Sequence, residues 1–143
     1  MELDPSTDYP LGSRRPDLVA TRGGVPLEEV TLAALREGRI DPAELAANPE
    51  TLLRQSAIAR ATGRVELADN LGRAAELASI PDDVILDVYT ALRPHRSTAS
   101  ELDVWAERLE TRYGAGLVAA LVRDARSAYA ERGLLRAEGG AAL

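Results

Sequence analysis

The chain has no cysteine, no phenylalanine, no lysine and only one histidine. Each gap removes a class of chemistry. Without thiols there are no disulfides, thiolate nucleophiles or Cys-based zinc sites, and their absence fits a reducing compartment. A single imidazole cannot make a two-histidine metal site. The 17 basic residues, all arginine, face 23 acidic ones, and a net charge of -6 argues against nucleic-acid binding, which needs cations to neutralise phosphates. No stretch approaches the roughly 18 apolar residues of a membrane span, and MELDPSTDYPLGSRRP lacks the basic start and apolar run of a secretory signal. The cytoplasm is the expected compartment.

Aromatics are scarce too: one Trp and four Tyr. The core must therefore come from Leu, Val, Ile and many Ala. A large apolar side chain contributes roughly 1.5 to 3 kcal/mol when buried, an alanine methyl much less. A single domain of 143 residues built this way should be marginal alone, which predicts an obligate subunit covered in part by another chain.

Residues 1–47 read as an irregular N-terminal arm with short helices, broken by Pro5, Pro10, Pro16, Gly23, Gly24 and Pro26. Such an arm is either disordered or laid over a partner, and its apolar residues, Tyr9, Leu11, Leu18, Val19 and Val25, favour the second. A short helix is predicted over Leu27 to Glu37, closed by Gly38, and a turn or two after Asp41-Pro42. A helical bundle follows over 48–136. Asn48 caps its first helix, with Pro49 at the first position, and Gly63 ends it. The next helix places Leu67, Leu71, Ala74 and Ala78 on one face. A third carries Val84, Ile85, Val88, Tyr89 and Leu92 until Pro94 stops it. Thr98-Ala-Ser-Glu101 is a capping box opening a helix with Leu102, Trp105, Leu109 and Tyr113 inward. Gly114 and Gly116 bracket a tight connection, the last helix aligns Val118, Leu121, Val122, Ala125 and Tyr129, and Gly133 ends it. Residues 137–143 read as a frayed tail. With no period-2 alternation, the fold class is all-α: a small, open up-and-down bundle behind an irregular arm.

Candidate chemistry gathers in Ile80 to Thr98, which holds Asp82, Asp83, His95 and the flanking Arg93 and Arg96. Asp82 and Asp83 follow a proline at a helix start, where free amides favour carboxylates, and neighbours about 100° apart on a helix do not share one site. Capping outweighs acid/base chemistry. His95 sits in a Pro-Arg loop without a nucleophile elbow, so a loop contact outweighs a triad. Arg93 and Arg96 suit ion pairs across an interface. Trp105, Tyr89 and Tyr129 read as core residues, with an interface anchor as the minority reading. No nucleophile, base and oxyanion donor assemble, so no catalytic, cofactor-binding or metal-binding residue is assigned.

Several stretches carry a family resemblance: Asp8-Tyr9-Pro10-Leu11, NPETLLRQSAIARATGR, AAELASIPDDVILDVYTALRPHRST, and LETRYG with the LVAALVRDARSAYAERGLL helix. Together they span Asp8 to Leu135. The chain resembles the small (gamma) subunit of adenosylcobalamin-dependent diol and glycerol dehydratases. That resemblance implies a lyase of large, medium and small subunits, a dimer of heterotrimers, that removes water from a 1,2-diol or glycerol through a substrate radical to give an aldehyde. It also implies that cobalamin lies between the large and medium subunits. The small subunit, a helical bundle, docks on the large one without catalysing. Subunit contacts are then expected at Asp8, Tyr9, Arg93, His95 and Arg96. One departure is His95, where related small subunits more often carry tyrosine. Only MELDPST precedes the Asp8 motif, which disfavours packaging in a protein-shelled microcompartment through this chain. The alternatives are a free-standing helical adaptor and a small hydrolase using His95 with an Asp.

Overall fold

A computed structural model describes residues 2–139; of the expected tail, residues 140–143 lie outside them. Among the described residues no strand forms beyond an isolated antiparallel bridge between Ala20 and Pro26, and the chain is all-α. It divides into two compact units, Met1–Ala78 and Ser79–Leu143. The arm and the first two long helices thus share a unit, whereas composition places a boundary at 47/48.

The first unit is organised by two helices, α4 (Pro49–Ala61) and α5 (Val65–Leu77). Helix α4 starts as its sequence dictates: the Asn48 side chain accepts from the Glu50 amide at 2.9 Å, and Pro49 takes the first position. Gly63, at φ 77°, lets the chain reverse, and α5 packs back on α4. The face α5 uses is not the leucine face. Ala68, Gly72 and Ala75 are buried, while Leu67 remains 44% exposed. Small side chains let two helix axes approach closely, and that approach allows the Ser56 hydroxyl to donate to the Ala68 carbonyl at 2.7 Å.

Before them come α1 (Pro5–Asp8), α2 (Leu11–Arg14) and α3 (Leu32–Arg36), with 3-10 turns at Pro16–Leu18, Leu27–Glu29 and Pro42–Leu45. The arm packs on its own unit. Leu3 and Leu11 bury against Ile58 of α4, with Leu18 and Val19 packed beside them. The Asn48 amide donates to the Ala20 and Thr21 carbonyls at 2.8 and 3.3 Å, and Arg54 donates to the Leu18 carbonyl. The arm shows no period because it buries single residues rather than a helical face.

The helix predicted over Leu27 to Glu37 is also broken. Val30 leaves helical backbone, and Thr31 caps α3 by accepting from the Ala34 amide at 3.1 Å. Two adjacent β-branched residues, one able to cap, favour a restart over a continuous helix. At Gly23, a Cβ would stand 2.4 Å from a Glu44 carboxylate oxygen. That carboxylate accepts from the Gly23 amide at 2.7 Å and the Thr21 hydroxyl at 2.5 Å.

The second unit contains α6 (Asp82–Ala91), α7 (Ala99–Tyr113) and α8 (Gly116–Arg132). Gly114, left-handed at φ 63°, ends α7, and α8 packs against it. Leu102, Ala106 and Leu109 of α7 and Val118, Ala119 and Val122 of α8 are buried. The expected faces hold at Leu102, Leu109, Val118 and Val122, with Ala106 and Ala119 buried beside them. Ala106 is buried while Trp105 and Tyr113 are half-covered, and Leu121 is 45% exposed. Trp105 instead lies under the Arg108 guanidinium, 5.0 Å from the ring centroid. Tyr89, read as core, is 62% exposed.

If alanine sets the spacing of this hairpin, Ala106→Leu must force α7 and α8 apart. It is expected to lower stability by about 1 to 3 kcal/mol in urea unfolding, whereas Ala120→Leu, exposed on α8, should change it little. Equal effects from the two substitutions contradict the spacing argument.

Candidate functional site

Ile80 to Thr98 folds as a capped helix and a tied-down loop. Ile80 is buried and Pro81 leads into α6, whose inner face is Val84, Val88 and Ala91. Asp82 and Asp83 occupy the exposed first turn, and neither makes a capping hydrogen bond. Their charge complements the helix dipole, and nothing in the geometry joins them as an acid/base couple.

After Leu92 the chain turns through Pro94 and His95. His95 adopts a left-handed φ of 61°, the only non-glycine residue to do so among those described. Such a conformation costs roughly 1 to 3 kcal/mol unless neighbours fix it. Here the end of α8 fixes it: the His95 amide donates to the Leu134 carbonyl at 2.7 Å. Tyr129 donates its hydroxyl to the Leu92 carbonyl at 2.6 Å, and Arg136 donates from its backbone to Ser97 at 2.9 Å and from Nε to Arg96 at 3.1 Å. Ser97 donates its hydroxyl to the Ala91 carbonyl at 2.8 Å. The loop is therefore held largely through its main chain and the Ser97 hydroxyl.

The capping box closes the same structure. The Glu101 amide donates to Thr98 Oγ1 at 3.2 Å, the Thr98 amide donates to the Glu101 carboxylate at 2.8 Å, and Arg136 pairs with the same carboxylate at 2.5 Å. Those bonds hold the Glu101 carboxyl below its usual range, the Thr98 amide first and Arg136 second. Near the N-terminus Arg15 holds the Asp17 carboxyl down in the same way.

The five expected contact residues fare differently. Asp8 is engaged within its own unit, receiving the Asp4 amide at 2.9 Å and pairing with Arg15 at 3.3 Å, with its side chain only 15% exposed. Tyr9 is 57% exposed. Arg93 and His95 are exposed on the loop, and among the described residues no side chain partners either of them; Arg96 is half-buried. Tyr9 lies in the first unit and the loop in the second. The sequence reading missed Arg136 and Tyr129 as the fasteners of this loop, because no local pattern links positions about 40 apart.

No catalytic constellation arises from this geometry. Among the described residues no three His, Cys, Asp or Glu side chains converge, and the Ser97 hydroxyl is directed to a backbone carbonyl rather than to His95. No helix is long and apolar enough to cross a membrane. The fold is that of an all-helical chain, with Arg93 and His95 exposed on the loop of its second unit. Comparison with known proteins gives the chain its family: the dehydratase small subunit family matches residues 5–136, and the chain belongs to it. It is 44% identical to the propanediol dehydratase small subunit of Citrobacter freundii over 132 residues, covering 92% of this chain and 77% of that protein. Over the same length it is 43% identical to the propanediol dehydratase small subunit of Salmonella typhimurium, covering 76% of that protein.

The capping box carries two expectations. Thr98→Ala should cost about 1 kcal/mol of stability by thermal or urea unfolding. A carboxyl whose folded pKa is depressed stabilises the fold above its ordinary range and ceases to do so as pH falls through the folded value. Melts from pH 7 to pH 3 should thus show a shallower acid loss in Glu101→Gln than in the parent chain; an unchanged acid limb rules out this role.

Proposed function

We propose that this chain is the small subunit of a diol dehydratase, a lyase that converts a 1,2-diol to an aldehyde and water, and that its part is assembly rather than chemistry. The observation that carries the reading is the family match over residues 5–136, in a chain whose described residues gather no reactive groups. Its partners are the large and medium subunits of the enzyme, arranged as a dimer of heterotrimers, with direct contact mainly to the large one.

The enzyme's adenosylcobalamin would supply the radical chemistry of dehydration. The residues of this chain do not form a fitting cradle for that group: the one imidazole, His95, stands exposed on a loop with no second ligand beside it. No step is assigned to this chain through the cofactor, and the cofactor is placed on the other subunits.

Contact is proposed at Tyr9, Arg93, His95 and Arg96, with Asp8 acting indirectly by fixing the arm through Arg15. The left-handed backbone at His95 supports this. Glycine would fit that backbone without strain, so the imidazole there needs a use outside the fold. A loop held largely through its main chain presents Arg93 and His95 with little ordering cost on binding.

Reconstitution tests the reading. Co-expression with large and medium subunits should give a stable ternary complex that converts propane-1,2-diol or glycerol in the presence of adenosylcobalamin, with less soluble or shorter-lived activity when this chain is omitted. His95→Gly should leave the melting temperature of the lone chain equal or higher, while Arg93→Glu and His95→Gly weaken assembly and leave the substrate KM of the remaining complex unchanged. Turnover by the lone chain, or normal assembly with a raised KM, overturns the assignment.

A further inference from the structure

In the first unit a groove of about 410 Å³ opens between the arm and the α4–α5 hairpin. Ile58 forms part of its floor, Leu71 and Leu67 line the α5 side, and Tyr9 stands on the arm side. Helix α5 is arranged in reverse of a helix that completes its own fold. Its small residues Ala68, Gly72 and Ala75 are buried, and Leu67 and Leu71 face the groove, where Leu67 is 44% exposed. Amphipathic helices bury their bulky stripe, and an exposed one marks a surface that another molecule covers.

The polar groups of the groove define what covers it. None of its lining residues is acidic, in a chain with a net charge of -6. Arg64 lies in that lining, where α5 begins, and its guanidinium has no partner among the described residues. By contrast Arg60, near the end of α4, is paired with Asp69 at 2.5 Å. The other polar lining residues, Gln55 and Thr62, are uncharged, so mostly apolar walls with one unpaired arginine complement an apolar side chain that has a carboxylate beside it.

We infer that this groove is a docking socket for the large dehydratase subunit, receiving an apolar side chain between Tyr9 and Leu67 and a carboxylate on Arg64. The inference rests on the proposed function and adds the surface and the chemistry of the contact. It also accounts for Tyr9 as a contact residue: the ring is one wall of the socket.

Full-length Leu67→Glu and Arg64→Glu chains, co-expressed with the large and medium subunits, test it. Both side chains are exposed, so circular dichroism melts of the lone variants should match the parent. Recovery of this chain in the complex should fall about tenfold or more for each variant, as expected when a buried anchor or its charge partner is reversed, and Arg64→Lys should recover part of the loss. A photo-crosslinking amino acid at position 67 should join the large subunit. If the parent chain assembles and both variants assemble equally well, or the crosslink forms to the medium subunit, the socket is wrong while the family role stands. If the parent chain itself forms no complex, the role and the socket fall together.

Discussion

Close approach of paired helices through alanine is the constraint from which the rest of this structure follows. In the first unit Ala68, Gly72 and Ala75 set the contact of α5 with α4; in the second Ala106 and Ala119 lie between Leu102, Leu109 and Val122. Small contacts bring backbones together but remove little hydrocarbon from water, so each hairpin gains less per residue than one packed through leucine. Bulky residues displaced from those contacts must go elsewhere. Leu67, Leu86, Tyr89, Val104 and Leu121 remain exposed to differing degrees. A subunit completed by other chains and an alanine-spaced fold are two sides of the same arrangement.

Chemistry that looked reactive in the sequence is mostly structural. Asp82 and Asp83 serve a helix start, Ser97 closes a turn, and Glu101 joins a cap to the Arg136 guanidinium. The end of α8 returns to hold the loop before α7, so the second unit is closed by polar contacts where its apolar surface is small. His95 is the residue this closure leaves over. Its backbone is fixed in a conformation that suits glycine, and its side chain has no partner among the described residues. A left-handed position whose side chain stays exposed is the observation on which the proposed contact at His95 rests.

Much of the fold was legible because helix boundaries are local decisions. Asn48-Pro49, the Thr98 to Glu101 box, and the glycines at 63, 114 and 133 stand where a cap or a left-handed residue is needed, and each acts within one turn of itself. Family membership was legible as well, since it rests on the order of residues along the chain. The break of α3 at Val30-Thr31 was the one local signal that periodicity obscured: two β-branched residues and a capping hydroxyl outweighed the apolar spacing.

The sequence by itself determined that the chain is all-helical and where its long helices start and stop. Only the tertiary structure decided that α5 buries Ala68, Gly72 and Ala75 rather than its leucine face, and that Ala106 is covered more fully than Trp105, because faces one position apart are nearly equal in pattern. It decided also that the arm folds onto α4 and that Tyr129 and Arg136 fasten the loop at His95, since contacts between residues far apart in sequence leave no periodic trace in it.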